Sequence, residues 1–203
     1  MQVRPFSAHL AITVIILAMF LHGCSRSPNP RFYTLSAQPE QFAGARASQP
    51  NLVVGIGPIR LADYLDQSQI ITRSGDNQLI KDEFNRWAGP FKNNFTNVLA
   101  DNISSLLGTQ QVHLFPWRQA VPIDYQVTVD VVRCDGRLGE AAVLESRWSI
   151  FRGPDKQLLT TRRSSLTEPA TGPDYADLVA AQSRAISRLS QEIVQAIRGT
   201  GKP

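Results

Sequence analysis

An α/β fold, a mixed β-sheet flanked by helices, is what this 203-residue sequence predicts, and two patterns carry that expectation. In residues 90–107 and 174–198 apolar side chains recur at three- and four-residue steps, the mark of helices with one buried stripe. Between them, residues 124–166 form three runs in which apolar and polar positions alternate, separated by glycine- and proline-bearing turns. That alternation predicts an antiparallel meander with one wet face. Helices bracketing strands imply a sheet covered by helices.

The chain opens on Arg4 and an apolar run over residues 10–21, closed by Leu21-His22-Gly23-Cys24. As a helix that run covers about 18 Å, short of a roughly 30 Å hydrocarbon core, so it suits a signal peptide rather than a membrane span. Gly23 is small enough for a peptidase that cuts before a cysteine already carrying diacylglycerol. Residues 1–23 are therefore expected to be a lipoprotein signal peptide and Cys24 the lipid-attachment residue, although His22 stands where a small or hydroxylated residue is usual. With each buried CH2 worth about 0.8 kcal/mol, several acyl chains hold such a protein on its membrane stably. Cleavage removes Arg4 and no acidic residue, so the formal charge of +4 falls by one. A charge that small gives no reason to expect nucleic acid as a partner. With Cys24 lipidated, Cys134 has no intramolecular partner, and the fold is expected to stand without a disulfide.

Residues 24–30 are polar and proline-punctuated, as a tether should be. Arg31-Phe32-Tyr33-Thr34-Leu35 is the first β-like run, residues 38–50 read as a loop, and Leu52-Val53-Val54-Gly55-Ile56 reads as a buried strand ended by a Gly57-Pro58 turn. Residues 69–73 and 78–81 flank Ser74-Gly75-Asp76-Asn77 and predict a hairpin of short strands. Pro90 suits a first helical turn and Gly108 a helix stop. Residues 112–115 form a short strand before Pro116, and Gly136 and Gly139 allow the first reversal of the meander. Asp174 and Asp177 at the start, Arg198 at the end and Gly199 just beyond bound the last helix. One domain over residues 31–199 follows, with residues 200–203 as a tail.

Catalytic or metal chemistry needs groups that converge, and few are available. Of three histidines, His9 and His22 lie in the signal and His113 lies in an apolar run, so neither a zinc site nor a Ser-His-Asp arrangement with a Gly-x-Ser-x-Gly elbow is indicated. No catalytic residue, metal ligand or cofactor is assigned. Gly55-Ile56-Gly57 superficially matches a dinucleotide loop, but Pro58 blocks the helix start that such a loop requires. Asn94-Phe95-Thr96 and Asn102-Ile103-Ser104 match the glycosylation pattern by chance on a helix. What recurs is a neighbour pair: Arg86-Trp87, Trp117-Arg118 and Arg147-Trp148. Tryptophan and arginine are enriched where proteins dock. Trp148 falls on the apolar phase of its strand and is assigned to the core, whereas interface and core stay open for Trp87 and Trp117, with Arg86 and Arg118 beside them.

The cysteine followed by Arg31-Phe32-Tyr33-Thr34-Leu35, then Val54-Gly55-Ile56-Gly57-Pro58, Tyr64-Leu65 with Gln69-Ile70-Ile71-Thr72-Arg73, and Arg86-Trp87-Ala88 before Pro90, resembles the PqiC/YmbA family of transport-associated lipoproteins. The likeness extends through Asp124-Tyr125 and Asp174-Tyr175, while Gly89 stands where such sequences often carry an acidic residue. It implies a non-enzymatic ABC transporter auxiliary component on the periplasmic face of the outer membrane. Its implied partner is an MCE-domain (PqiB-like) protein that moves lipid between membranes, and its implied role is to support envelope integrity. Ser25, rather than aspartate, after Cys24 agrees with outer-membrane sorting. The resemblance further implies a fold similar to the TolB amino-terminal domain (anticodon-binding-domain-like) and allows a homo-oligomeric ring. The alternative is a periplasmic lipid-binding lipoprotein that holds an acyl chain in an apolar groove.

Overall fold

Tyr125, Val127, Val129 and Val131 are 0–2% exposed while Gln126, Thr128 and Asp130 between them keep partial contact with solvent. A computed structural model, which describes residues 28–38, 49–117, 121–153 and 155–200, places them on the central strand of a five-stranded sheet. The strands, in chain order, are β1 (Arg31–Tyr33), β2 (Val54–Leu61), β3 (Gln69–Arg73), β4 (Leu79–Trp87), β5 (Val112–Leu114), β6 (Tyr125–Arg137), β7 (Ala141–Arg152) and β8 (Leu158–Pro169). The helices are α1 (Phe91–Leu107) and α2 (Tyr175–Gly199).

The large sheet has the order β5-β2-β6-β7-β8, with β5, β2 and β6 parallel and β6, β7 and β8 antiparallel. The mixed sheet and its meander are thus as the alternation predicts. Strand lengths differ. β6 runs on to Arg137 because Gly136, with no Cβ, lets the Ala141 carbonyl and Leu178 approach where a Cβ would meet them at 2.3 and 2.7 Å. The reversal is left to the residues around Gly139, whose φ is +74°.

Two expectations are corrected. Gly57-Pro58 is not a turn: β2 continues through it to Leu61, with a register shift between Ile56 and Ile59. A bulge tolerates a proline within a strand, since the ladder is already interrupted there. Nor do the strands make one sheet. β3 pairs with a β4 that is longer than expected and reaches Trp87, and β1 pairs with β4 in parallel through Arg31–Asn85, Phe32–Arg86 and Tyr33–Trp87. The result is a separate three-stranded sheet of order β1-β4-β3.

Both helices pack on each other and on the large sheet, and one cluster joins their stripes to it. Phe91, Phe95, Leu99, Ile103 and Leu107 of α1 are at most 1% exposed, as are Leu178, Ile186, Leu189 and Ile193 of α2. Burial of such side chains contributes about 1.5–3 kcal/mol each. Pro90 is the N-cap residue of α1, and Gly108 closes the helix in the left-handed region (φ +66°) with its N–H bonded to the Ser104 carbonyl at 2.9 Å. Asp177 accepts the Asp174 N–H at 3.2 Å at the start of α2, and Arg198 donates to the Leu106 carbonyl at 2.8 Å, tying the two helix ends together. No helix among the described residues is long and apolar enough to cross a membrane.

Candidate functional site

Where α1 begins, β2 bulges and β5 ends, the surface opens into a groove of about 450 Å³. Its apolar wall comes from Ile56, Ile59, Leu114 and Phe115, its polar wall from Lys92, Asn93, Thr96 and Asn97 on α1. Leu114 and Phe115 are 40% and 49% exposed. The bulge shapes this wall: Gly57 holds φ +117°, and a Cβ there would stand 2.8 Å from the Cβ of Phe115. Phe115 meets Trp117 edge to face at 5.4 Å. Trp117 is half-buried, its indole seated over Gly55, where a Cβ would come within 2.7 Å of the ring. Gly55 is therefore required for Trp117 to lie against β2.

Trp87 is placed differently. It is 6% exposed, stacks on Phe91 at 4.8 Å and belongs to the core cluster. Arg86 beside it is held on its own strand by Glu83, at 2.8 Å to both the carboxylate and the carbonyl of that residue. Trp148 is 1% exposed, and its indole N–H donates to Ser164 Oγ at 2.8 Å, which in turn donates to Glu192 on α2. The Arg162 guanidinium lies 5.9 Å from the same ring. Cys24 and Arg118 lie outside the described residues.

A second constellation lies where the two sheets meet. The Asp135 side chain is fully buried, and one carboxylate oxygen accepts from Arg73 Nε at 2.8 Å and Arg133 Nε at 2.7 Å. The other accepts from the Tyr64 hydroxyl at 2.9 Å. Arg73 comes from β3 of the small sheet and Asp135 and Arg133 from β6 of the large one, so one carboxylate pins the two together. Burial pushes the Tyr64 hydroxyl up to about 12, with the Asp135 charge adding to it. The fold accordingly favours the neutral phenol: this stabilisation is intact below pH 10 and lost as pH rises towards 12. Ultraviolet titration of Tyr64→Phe against the parent chain should therefore remove a phenolate that forms near pH 12, and loss of one forming near pH 10 instead would contradict the buried pairing. Cys134, next in sequence, is buried, and desolvation followed by the Asp135 charge pushes its thiol far up, which leaves it without nucleophilic character.

Sequence patterns miss both the groove and the Asp135 cluster. The one signal was the break in alternation at Cys134-Asp135-Gly136, three consecutive buried residues. Asn94 and Asn102, which match the glycosylation pattern, have structural partners: their side-chain oxygens accept the backbone N–H of Leu35 at 2.6 Å and Gln38 at 2.9 Å, fastening the segment after β1 along α1. Among the described residues no group of three or more His, Cys, Asp or Glu could hold a metal ion.

Two sheets joined by a buried carboxylate, helices on the larger one and an open, mixed-polarity groove at its edge make up an α/β architecture. The chain belongs to the family of ABC-type transport auxiliary lipoprotein components, whose family model matches residues 33–194. It is 24% identical to the intermembrane transport lipoprotein PqiC of Escherichia coli K12 over 186 residues, 91% of this chain and 96% of that protein, and equally so to its Shigella flexneri counterpart. A crystal structure of an uncharacterised protein superimposes with a TM-score of 0.69 at 20% identity, over 84% of this chain and 99% of the other. A Xanthomonas campestris protein does so with 0.66 at 18% identity, over 83% and 96%. These two likenesses define the fold.

Proposed function

We propose that this protein is a lipoprotein anchored through Cys24 to the periplasmic face of the outer membrane, where it serves as a non-enzymatic auxiliary subunit of an MCE-type ABC system that moves lipid between membranes and supports envelope integrity. The observation that carries this is the family match over residues 33–194, placed directly after a signal-like run and a cysteine. The processed chain then begins at Cys24, with residues 24–30 as tether, residues 31–199 as the domain and residues 200–203 as a tail. Its partner is an MCE-domain (PqiB-like) protein, several copies ringing the end of that protein, and the domain's architecture is similar to the TolB amino-terminal domain. Trp117, half-buried beside Phe115, and Arg118, next to it in sequence, supply docking surface on this reading. Trp87 contributes through the core it fills, and Arg86 through its exposed edge.

Cys24→Ala in the producing cell should release the chain from the membrane fraction while leaving the domain folded. The parent chain should be retained and should co-purify with an MCE-domain protein of the same cell. Retention of Cys24→Ala in membranes, or absence of the MCE protein from a detergent eluate of the parent, would overturn the proposal. The groove favours one alternative, a lipoprotein that holds an acyl chain against Ile56, Ile59, Leu114 and Phe115. Mass spectrometry of the purified protein distinguishes it, because that alternative requires a co-purifying lipid beyond the acyl groups of Cys24.

A further inference from the structure

Of the Arg–Trp neighbour pairs, Arg147-Trp148 is only half explained. Trp148 on β7 fills the core, so strand alternation turns Arg147 to the other face of the large sheet, away from the helices. The β6–β7 and β7–β8 registers are unbroken here and carry that side chain into a row: Arg60 on β2 pairs with Asp130, Asp130 with Arg147, and Arg147 with Arg163 on β8. Arg60 Nε lies 3.0 Å from Asp130 and Arg163 donates to Glu145 at 3.2 Å, while among the described residues no hydrogen bond or ion pair reaches the Arg147 guanidinium. It is exposed and directly across from a like charge, an arrangement that costs stability. Edge protection does not account for it, because β8 is the edge strand and β7 is interior.

The same face carries Trp117. Val54 and Ile56 are fully buried in the core, so a Cβ on Gly55 between them would point to the opposite face, and what it would meet there is the Trp117 ring. Gly55 pairs with Gln126, four residues before Asp130 on β6, which sets it about 13 Å along the strands from the arginine row. Between the two run Thr128, Ser149 and Thr161, paired in register across three strands, with Ser149 Oγ and Thr161 Oγ1 2.8 Å apart. Their short side chains make a low floor. Tryptophan and arginine are the residues that most often dominate binding at interfaces. We propose that this face binds a segment of the partner protein that sets a carboxylate between Arg147 and Arg163 and an apolar side chain against Trp117. Three cations to one carboxylate in the row select an acidic segment, and a carboxylate can accept two N–H groups of one guanidinium in plane. A half-buried ring offers an edge to a side chain but little depth to a bilayer, so a protein segment rather than a lipid surface is the occupant. The inference rests on the reading of the chain as a subunit that docks an MCE-domain protein, and adds the face and the chemistry of the contact.

The test is capture of that protein by the detergent-purified, full-length lipoprotein, comparing the parent with Arg147→Glu, Arg147→Lys and Lys81→Glu. Lys81 is an exposed cation on the small sheet. Arg147→Glu should lower recovery roughly tenfold or more and Arg147→Lys only a few-fold, with Lys81→Glu close to the parent. Because Arg147→Glu relieves the like-charge pair, its Tm should match or exceed that of the parent, which separates loss of capture from loss of fold. Normal recovery with Arg147→Glu, or an equal loss with Lys81→Glu, overturns this inference alone; absence of the MCE-domain protein from the parent eluate overturns the underlying reading with it. Binding of the parent to phosphatidylglycerol vesicles that Arg147→Glu abolishes while capture stays intact would also overturn it, making the face a membrane contact.

Discussion

Asp135→Ala is expected to destabilise the fold by about 3 kcal/mol, and to lower Tm by roughly 6–12 °C for a domain of this size. The mutation leaves two guanidinium groups and a phenol facing a site that is fully buried on the carboxylate side. Removing one partner of a buried ion pair commonly costs 3–5 kcal/mol; the lower end applies because Arg73 and Arg133 keep 16% and 28% of their side chains exposed and water can reach them. Arg73 also retains its bond to the Asp76 carbonyl at 2.7 Å. The damage should be local before it is global: amide exchange should accelerate in β3 and β4, which Arg73 ties to the large sheet in addition to the core contacts of Ile70 and Trp87, while β6 to β8 stay protected. Adding Arg73→Met and Arg133→Met should recover most of the loss, since replacing a whole buried ion cluster with apolar groups is close to neutral. Denaturant unfolding of the three variants decides the matter, and a cost below about 1 kcal/mol for Asp135→Ala would mean that the carboxylate does not hold the sheets together.

That cluster marks where sequence patterns stop being informative. The helical stripe from Phe91 to Leu107 and the alternation of β6 are legible because each repeats a period over many residues, and each period corresponds to a buried face. β1 has three residues, too few for a period, and its partner lies 54 residues further along the chain. Nothing local in Phe32 or Arg86 encodes that pairing, so the second sheet could not be read in advance. Gly57-Pro58 carries the composition of a turn, yet the register shift in β2 absorbs it, because the neighbouring strands β5 and β6 hold β2 on both sides. Asp135 was hidden by its surroundings, since a carboxylate in Arg133-Cys134-Asp135-Gly136-Arg137 reads as one more strand-end charge until Arg73 and Tyr64 arrive from elsewhere in the chain. The candidate docking residues were legible by type but not by side: whether a tryptophan near a proline faces in or out depends on what lies opposite it. For Trp87 that is Phe91 and for Trp117 it is Gly55, and only the second arrangement leaves part of the ring at the surface.

Trp148→Ala and Trp117→Ala should separate these two kinds of tryptophan. Trp148 is 1% exposed, fills the core between the sheet and α2, and carries a hydrogen bond to Ser164. Its truncation should cost about 3–5 kcal/mol through lost transfer energy and an uncollapsed cavity. Trp148→Phe, which keeps a ring and loses the N–H, should cost roughly 1–2 kcal/mol, of which about 1 kcal/mol is the hydrogen bond. Trp117 is half-buried and has Gly55 and Ile123 beneath it and Phe115 at its edge, so Trp117→Ala should cost under about 2 kcal/mol. The functional readout should run the other way. In capture of the MCE-domain protein by the intact lipoprotein, Trp117→Ala should weaken recovery roughly tenfold or more, as truncation of an interface anchor does. Trp148→Phe, folded but weakened, should capture normally. If Trp117→Ala proves as destabilising as Trp148→Ala, its ring belongs to the core; if it is stable and captures normally, the docking surface lies away from Trp117.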